Sequence, residues 1–522
     1  MPNRSADTLF QLIKSLEKSE KRNFKLFVKR NISGGDLKFI QLFDALDGMK
    51  EYDEAALLKK NKSIRKQQLS NIKAHLYKQI LASLRIIRDE NNIDIQLHEQ
   101  MDHARILYNK GLYLQSLKLL DKMKEMARAH QQLTYLQQVL FFEKKIEALF
   151  ITRSMRNRAD QLTNESEDVN EKLTVVNKLS NLSLQLYSWY IQHGHARNKK
   201  DFDELKEYFE KYLPEGIKKD SFYEKLYLYQ SYCWYAFIRQ DFLMYYRYSQ
   251  KWIDLFEEQP VMKEVETGHY IKGVHTLLNA FFDLRYFERF ETVLKKFEQF
   301  AKTDIANRHD NFRTHTSIYI NSAKINQHLM KGSFADGLKL VPSIEKNLEE
   351  YSLFVDQHRI LVFNYKIATL YFGAGKYGIA IDYLQKIING AGDLRIDLQC
   401  YARLLHLMAH YELGNDQIIE SLIKSVYRYM AKMKNLTVVE EEMFRFLRQS
   451  FNVSPKKIKP ELEKFLDKIK HLERNRFETR SFAYLDIISW VESKVYNKPM
   501  GEIIFEKYLN RKKRNLLTGK AA

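Results

Sequence analysis

The residues best placed to do chemistry are two histidines, His406 and His410, which stand four positions apart. That spacing puts two imidazoles on one face of a helix, an arrangement that can begin a zinc site. The glutamate of the HExxH motif is missing, because Leu407, Met408 and Ala409 separate the pair. We therefore expect the two histidines to pack within a helical fold and to hold no metal.

Other candidate catalytic residues are scattered along the chain. His193 and His195 flank a glycine and His269 and His275 lie six positions apart, and neither pair matches a metal-ligand spacing. The sequence contains no glycine-rich phosphate loop, no nucleophile elbow and no CxxC pair. We therefore expect a protein that is not an enzyme and that uses no cofactor.

The composition indicates a helical protein. The 522 residues include only 18 glycines and 7 prolines, too few for a fold that reverses direction at many tight turns. The two cysteines, Cys233 and Cys400, lie far apart among apolar residues, so we expect both to be free. Charges interrupt the amino end, and no apolar stretch is long enough for a membrane span. We expect an all-helical, cytoplasmic protein without membrane association, and usage rich in Lys, Asn, Tyr, Phe and Ile suggests a bacterial source.

A short pattern recurs along the chain, in which an apolar or aromatic residue precedes a glycine and an aromatic usually follows it. It reads Leu107-Tyr108-x-x-Gly111-x-Tyr113, Leu329-x-x-Gly332-x-Phe334, Tyr371-x-x-x-Gly375-x-Tyr377 and Tyr411-x-x-Gly414. Such a recurrence predicts stacked helix pairs, because each pair can bury its apolar face only against its neighbours. Pro342 falls inside the second helix of one pair, and its missing N–H predicts a split there.

Around Gly375 the pattern predicts helices over 354–372 and 377–388, with small Ala368 and Ala380 at their closest approach. This segment resembles the tetratricopeptide repeat, and 107–123 is a second good match. The resemblance covers about 95–432, although steps of 43 and 39 residues between the glycines exceed the 34 of the family. It implies a right-handed α-solenoid of stacked helix hairpins whose concave side binds a protein or peptide partner.

The tetratricopeptide pattern also projects certain first-helix side chains onto the concave side. Their types, large rings and hydrogen-bonding groups, are those that anchor peptides. The projected partner-binding residues are Arg105, Tyr108, Tyr227, Gln230, Trp234, Tyr319, Asn326, Tyr365, Thr369 and Tyr401. Family members that clamp a C-terminal carboxylate use lysine and asparagine where this chain has Met101, Arg105, Tyr365 and Thr369, so the resemblance does not extend to that subclass. Our first hypothesis is a non-enzymatic scaffold or adaptor.

Charge separates the two ends from the middle. Residues 1–90 hold 19 basic against 11 acidic side chains, and residues 453–522 hold 17 against 9. We therefore predict a basic helical module over 1–90, a repeat array over 91–435 and a helical cap with a basic tail over 436–522. The tail contains the basic run 511–514.

The most basic stretch, 55–88, contains no acidic residue. From residue 66 onward an apolar face alternates with a face of Gln67, Asn71, His75, Lys78 and Arg85. Gln, Asn, Lys and Arg are residue types that contact phosphates or base edges. With two shorter predicted helices before it, the stretch resembles a helix-turn-helix module. Our alternative hypothesis is a regulatory protein that contacts DNA or RNA, including the ribosome, through Lys59, Lys60, Lys62, Arg65, Lys66, Lys73, Lys78, Arg85 and Arg88. The sequence does not indicate an oligomeric state.

Overall fold

A computed structural model describes residues 7–31, 37–61, 64–88, 92–149, 157–351, 355–390, 395–450, 458–473, 475 and 477–517. Every regular element in these ranges is a helix, as the composition predicts. The chain divides into two compact units, Met1–Leu162 and Thr163–Ala522. Across the described ranges, no helix combines the length and the apolar character that crossing a bilayer requires.

The first unit begins with short helices and continues with longer ones. Its helices are α1 (Thr8–Ser15), α2 (Lys18–Asn31), α3 (Leu37–Asp47), α4 (Glu54–Lys60), α5 (Lys66–Arg88), α6 (Ile93–Asn109), α7 (Tyr113–Ala129) and α8 (Leu133–Leu149). The predicted apolar face of α5 is buried at Leu69, Leu76 and Ile80. It packs on α1, α2 and α3, so α5 belongs to a larger bundle than the three-helix module that the sequence suggested. Helices α6, α7 and α8 then pack one on the next.

The boundary between the units falls within α9 (Arg158–His193). The second unit continues with α10 (Lys199–Tyr212), α11 (Phe222–Ile238), α12 (Phe242–Glu258), α13 (Met262–Val265), α14 (Thr267–Leu284), α15 (Phe287–Phe300), α16 (Asp304–Asn307), α17 (Asp310–Lys331), α18 (Phe334–Leu338), α19 (Val341–Glu350), α20 (Gln357–Gly373), α21 (Tyr377–Ile388), α22 (Ile396–Glu412), α23 (Asp416–Lys432), α24 (Val438–Ser450), α25 (Ile458–Leu472), α26 (Thr479–Tyr484), α27 (Ile487–Val495) and α28 (Met500–Leu517). Neighbouring helices from α11 to α23 pack in a series. The predicted split at Pro342 is confirmed, because the proline lies in the first turn of α19, where its missing N–H breaks no helical bond.

The turns between paired helices share one backbone conformation. Each of the four recurring glycines has a positive φ, between 67° and 77°. Where the sequence lacks the glycine, Gln240 and Arg285 adopt positive φ angles of 56° and 58° instead. The left-handed residue closes the end of the first helix, and the aromatic or polar residue after it starts the second. Gln240 and Arg285 therefore bear backbone strain, and the two turns keep the same geometry as the glycine turns.

Within the second unit, residues that are far apart in the sequence contact one another. The Arg197 guanidinium donates to the Lys434 carbonyl oxygen at 2.9 Å, and the Thr479 hydroxyl donates to the Gln240 side-chain oxygen at 2.7 Å. Helix α28 packs back on α17, where Gly332 and Gly501 face each other. The segment from α26 to α28 therefore lies against helices from much earlier in the series.

Candidate binding site

Side chains from five helices of the second unit meet in a group that we call the cationic-aromatic site: Tyr187 on α9, Trp234 on α11, Lys272 on α14, Tyr319 on α17 and Arg359 on α20. The ring centroids of Tyr187 and Trp234 lie 4.9 Å apart. The Lys272 ammonium nitrogen lies 5.6 Å from the first centroid and 5.7 Å from the second. Both distances are within the range of cation-π attraction.

Tyr319 forms the other half of the site. Its ring stacks on the imidazole of His275 with centroids 3.9 Å apart and an interplanar angle of 6°. The Arg359 guanidinium donates to the Tyr319 hydroxyl at 3.3 Å and to the Asp356 carboxylate at 2.6 Å. Asp356 also accepts the backbone N–H of Arg359 at 2.8 Å and so caps the start of α20. These bonds hold the guanidinium beside the rings.

Basic side chains dominate the electrostatics of the site. Burial, together with the positive charges of Lys366, Arg359 and Lys272, lowers the pKa of His275 to about 3. Burial and the nearby Arg359 also lower the pKa of Lys272. In the described part of the chain no carboxylate pairs with Lys272, whose neighbours are aromatic rings. The site is therefore electropositive. Within the described ranges, Lys272 lacks the carboxylate partner that partly buried charges usually have.

Lys366 and Asp283 lie next to this site and oppose each other in charge. Burial lowers the pKa of Lys366 to about 7 and raises the pKa of Asp283 to about 7, and in each case the partner's charge acts in the other direction. The Lys366 ammonium donates to the Ser322 hydroxyl at 2.6 Å. Both groups therefore change charge close to neutral pH.

Two of the projected residues form a polar group beside the site. The Gln230 amide nitrogen lies 2.9 Å from Nδ1 of His269, and the Tyr227 ring meets the same imidazole edge-on with centroids 5.8 Å apart. Burial lowers the pKa of His269 to about 4. Tyr227, Gln230, Trp234 and Tyr319 thus lie on the helices that form the site.

Three other projected residues of the second unit make contacts within the chain itself. Tyr365 is 6% exposed and donates its hydroxyl to the Tyr484 carbonyl oxygen at 3.0 Å. Tyr401 is 0% exposed and stacks on the Tyr484 ring at 4.4 Å. The Thr369 hydroxyl bonds to the backbone of Tyr365, one turn earlier in α20. The segment that starts with α26 therefore occupies this part of the surface.

The last three projected residues lie on α17 and in the first unit. Asn326 is buried on α17 with 3% exposure. Arg105 and Tyr108 belong to the first unit, where Arg105 is exposed and the Tyr108 ring packs against Tyr113 and Phe142. The sequence projection missed Tyr187, Lys272, His275 and Arg359. The spacing of His269 and His275 along α14 was the one signal that pointed near them.

The basic residues of the first unit differ in their surroundings. Lys73 forms an ion pair with Asp7 and a hydrogen bond with Tyr52, and it is mostly buried between them. Lys62 lies outside the described residues, as do the side chains of Lys60 and Arg88 and those of 512–514 in the tail. The remaining candidates are exposed: Lys59, Arg65, Lys66, Lys78 and Arg85.

The histidine pair on α22 packs within the fold. The rings of His406 and His410 lie 4.5 Å apart, and the Asn415 amide lies 2.9 Å from Nδ1 of His410. The described part of the chain contains no cluster of three potential metal ligands. Cys233 and Cys400 are both buried, and each is a thiol that forms no disulfide.

The buried histidines predict a loss of stability in mild acid. Burial lowers the pKa of His275 to about 3 and those of His269, His358 and His406 to about 4. The unfolded chain binds these protons near pH 6.5, so stability is present above that pH and is lost as the pH falls toward 4, by up to about 2 kcal/mol per histidine at pH 5. The raised pKa of Asp283 has the opposite effect, because its protonated form is favoured in the folded state, and it offsets the loss from about one histidine.

Urea unfolding of the protein at pH 7 and pH 5 measures this loss. We expect a net decrease of a few kcal/mol in the free energy of unfolding. The variant H275Q carries no titratable ring at that position and should show a smaller decrease. Equal stability at the two pH values would contradict the assignment of neutral, buried imidazoles.

No family model matches this chain, and no curated protein matches it.

Proposed function

We propose that this protein is a non-enzymatic, tetratricopeptide-like scaffold that binds a segment of a partner protein at the cationic-aromatic site. The observation that carries the proposal is the convergence of Tyr187, Trp234, Lys272, Tyr319 and Arg359 from five helices. Side chains at this site are partly exposed, and Tyr187 is 40% exposed. The series of helix pairs with left-handed turns supports the repeat architecture. The two cysteine thiols, which form no disulfide, support a reducing, cytoplasmic setting.

The chemistry of the site is suited to a peptide. Tyrosine and tryptophan provide large, rigid contact areas at small entropic cost, and arginine provides directional hydrogen bonds. The rings are already held by neighbours, as in the Trp234 contacts with Tyr187 and Tyr190 at 4.9 and 5.7 Å. A preorganised surface loses little conformational entropy when a partner binds. Binding energy is therefore expected to concentrate on a few of these side chains.

Photo-cross-linking in the native cell tests the location of the partner. Tyr187 is replaced by photoreactive benzoylphenylalanine, and the matched control carries the same replacement at Tyr212, a 43% exposed tyrosine on α10. We expect a partner polypeptide to cross-link from position 187 and not from position 212. Adding the substitution W234A should reduce the yield at least about tenfold through the loss of a buried aromatic contact. Equal yields at the two positions, or no effect of W234A in a folded protein, would contradict the proposal.

The alternative, contact with nucleic acid, is supported by one face of α5. Gln67, Asn71, Lys78 and Arg85 are all exposed and recur at helical spacing. Lys73 does not share this role, because its ammonium is engaged by Asp7 and Tyr52. A mobility-shift assay with random-sequence nucleic acid tests this alternative: binding should weaken steeply as the salt concentration rises, and K78E with R85E should abolish it.

A further inference from the structure

The cationic-aromatic site has an excess of positive charge. The charges of Lys366, Arg359 and Lys272 all act on the imidazole of His275, so the three side chains lie near one another. Among the described residues, Arg359 is the only one of these three side chains with a carboxylate within salt-bridge distance. That carboxylate belongs to Asp356, which also caps the start of α20. Asp283 acts on Lys366 across a longer distance, and burial favours its neutral form. Among the described residues, no carboxylate pairs with Lys272, so its ammonium is available to an anionic group of a ligand.

The other acidic group near the site is already engaged. Glu266 accepts the Tyr223 hydroxyl at 2.6 Å and lies 3.9 Å from His269. Because burial keeps the pKa of His269 at about 4, that imidazole is neutral at physiological pH and adds no positive charge. Lys272 and Arg359 are the cations that lie over the rings.

The arrangement of the rings selects against a stacked base. His275 and Tyr319 already lie face to face at 3.9 Å, so each occupies a face that a nucleobase would need. Tyr187 and Trp234 are tilted by 45° to each other at 4.9 Å, which leaves no slot between them. The rings thus form apolar walls, while the cations provide donors for small, compact anionic groups.

From this geometry we infer that the partner segment is acidic, and that a glutamate or aspartate carboxylate of the bound peptide lies between Lys272 and Arg359 while flanking apolar residues contact Tyr187 and Trp234. This inference rests on the proposed function and names the class of its ligand. Guanidinium and ammonium groups form charge-assisted hydrogen bonds with carboxylates, and these bonds are stronger beside apolar walls than in open water.

Fluorescence anisotropy with two defined probes tests the inference. The first is a fluorescein-labelled peptide in which glutamate alternates with alanine and leucine, and the second is its glutamine counterpart. We expect the glutamate peptide to bind at least about tenfold more tightly, a difference of about 1.4 kcal/mol. The variants K272M and R359M should each remove that preference, since methionine keeps the apolar stem and lacks the charge. The matched control K200M changes an 82% exposed lysine on α10 and should have no effect.

Three outcomes would overturn the inference: equal binding of the two peptides, unchanged preference in K272M and R359M that remain folded by circular dichroism, or binding of a fluorescent oligouridylate but not of the glutamate peptide. The cross-linking experiment separates this failure from failure of the proposed function. A partner that cross-links from position 187 while the peptides bind equally would leave the scaffold function standing and remove only the acidic specificity.

Discussion

Replacement of Gly332 by alanine is expected to lower the free energy of unfolding by about 3 kcal/mol or more. Gly332 ends α17 with φ at +70°, a conformation that costs an alanine about 1 kcal/mol. A Cβ atom there would also lie 2.3 Å from the Gly501 carbonyl oxygen and 3.0 Å from Cβ of Ile504. Because the first of these atoms is backbone, α28 must move away from α17 to relieve the clash.

Gly375 provides the matched control. It has nearly the same φ, +74°, at the equivalent turn after α20, and a Cβ there would meet nothing within 4 Å. G375A is therefore expected to cost only the backbone term, about 1 kcal/mol. Urea denaturation of the two variants measures the difference. If G332A and G375A are equally stable, the close approach of α28 to the α17 turn is refuted.

The second large effect is expected from Asp397→Leu, at about 3–5 kcal/mol of lost stability. The Arg395 guanidinium donates to both oxygens of the Asp397 carboxylate at 2.8 Å, and the side chains are only 8% and 6% exposed. Tyr484 completes the group, donating its hydroxyl to Asp397 at 2.5 Å and accepting from Arg395 at 2.9 Å. Burial opposes the charge of Arg395, but the pKa of its guanidinium is nevertheless held well above the usual value by Tyr190, Asp397 and Tyr484. Removing the carboxylate leaves a buried cation without its partner.

The double variant R395M/D397L distinguishes loss of the ion pair from loss of packing. It removes both charges, so it should recover much of the stability that D397L loses. Arg395 has φ at 55°, and methionine at that position bears the same backbone strain. A double-mutant cycle measures this effect: the free energy of unfolding is determined by thermal and urea unfolding of the wild type, the two single variants and the double variant. A double variant no more stable than D397L would show that the charge pair is not the cause.

Local patterns predicted the helices well. The recurring glycines marked the turns because an L-residue rarely adopts a positive φ, and Pro342 marked the split between α18 and α19 because it lacks an N–H. The apolar spacing of residues 69–80 predicted the buried face of α5. Each of these signals depends on residues within a few turns of one another.

The same turn glycines show where local reasoning ends. Gly332 and Gly375 have equivalent positions in the repeated pattern, yet only Gly332 contacts another helix closely. The sequence could not distinguish them, because Gly501 lies well over a hundred residues later in the chain. Likewise Tyr365 and Tyr401 match the projected binding positions, but Tyr484 covers both.

The sequence by itself determined that the chain is helical, where its helices turn, and which faces of them are apolar, because these properties follow from backbone geometry and side-chain period over short distances. Only the tertiary structure decided which side chains share a surface. Lysine and arginine are ordinary on exposed helix faces, and Lys272 and Arg359 form a candidate site only because five helices place them beside Tyr187, Trp234 and Tyr319. That placement depends on how every intervening helix packs, which no short-range pattern encodes.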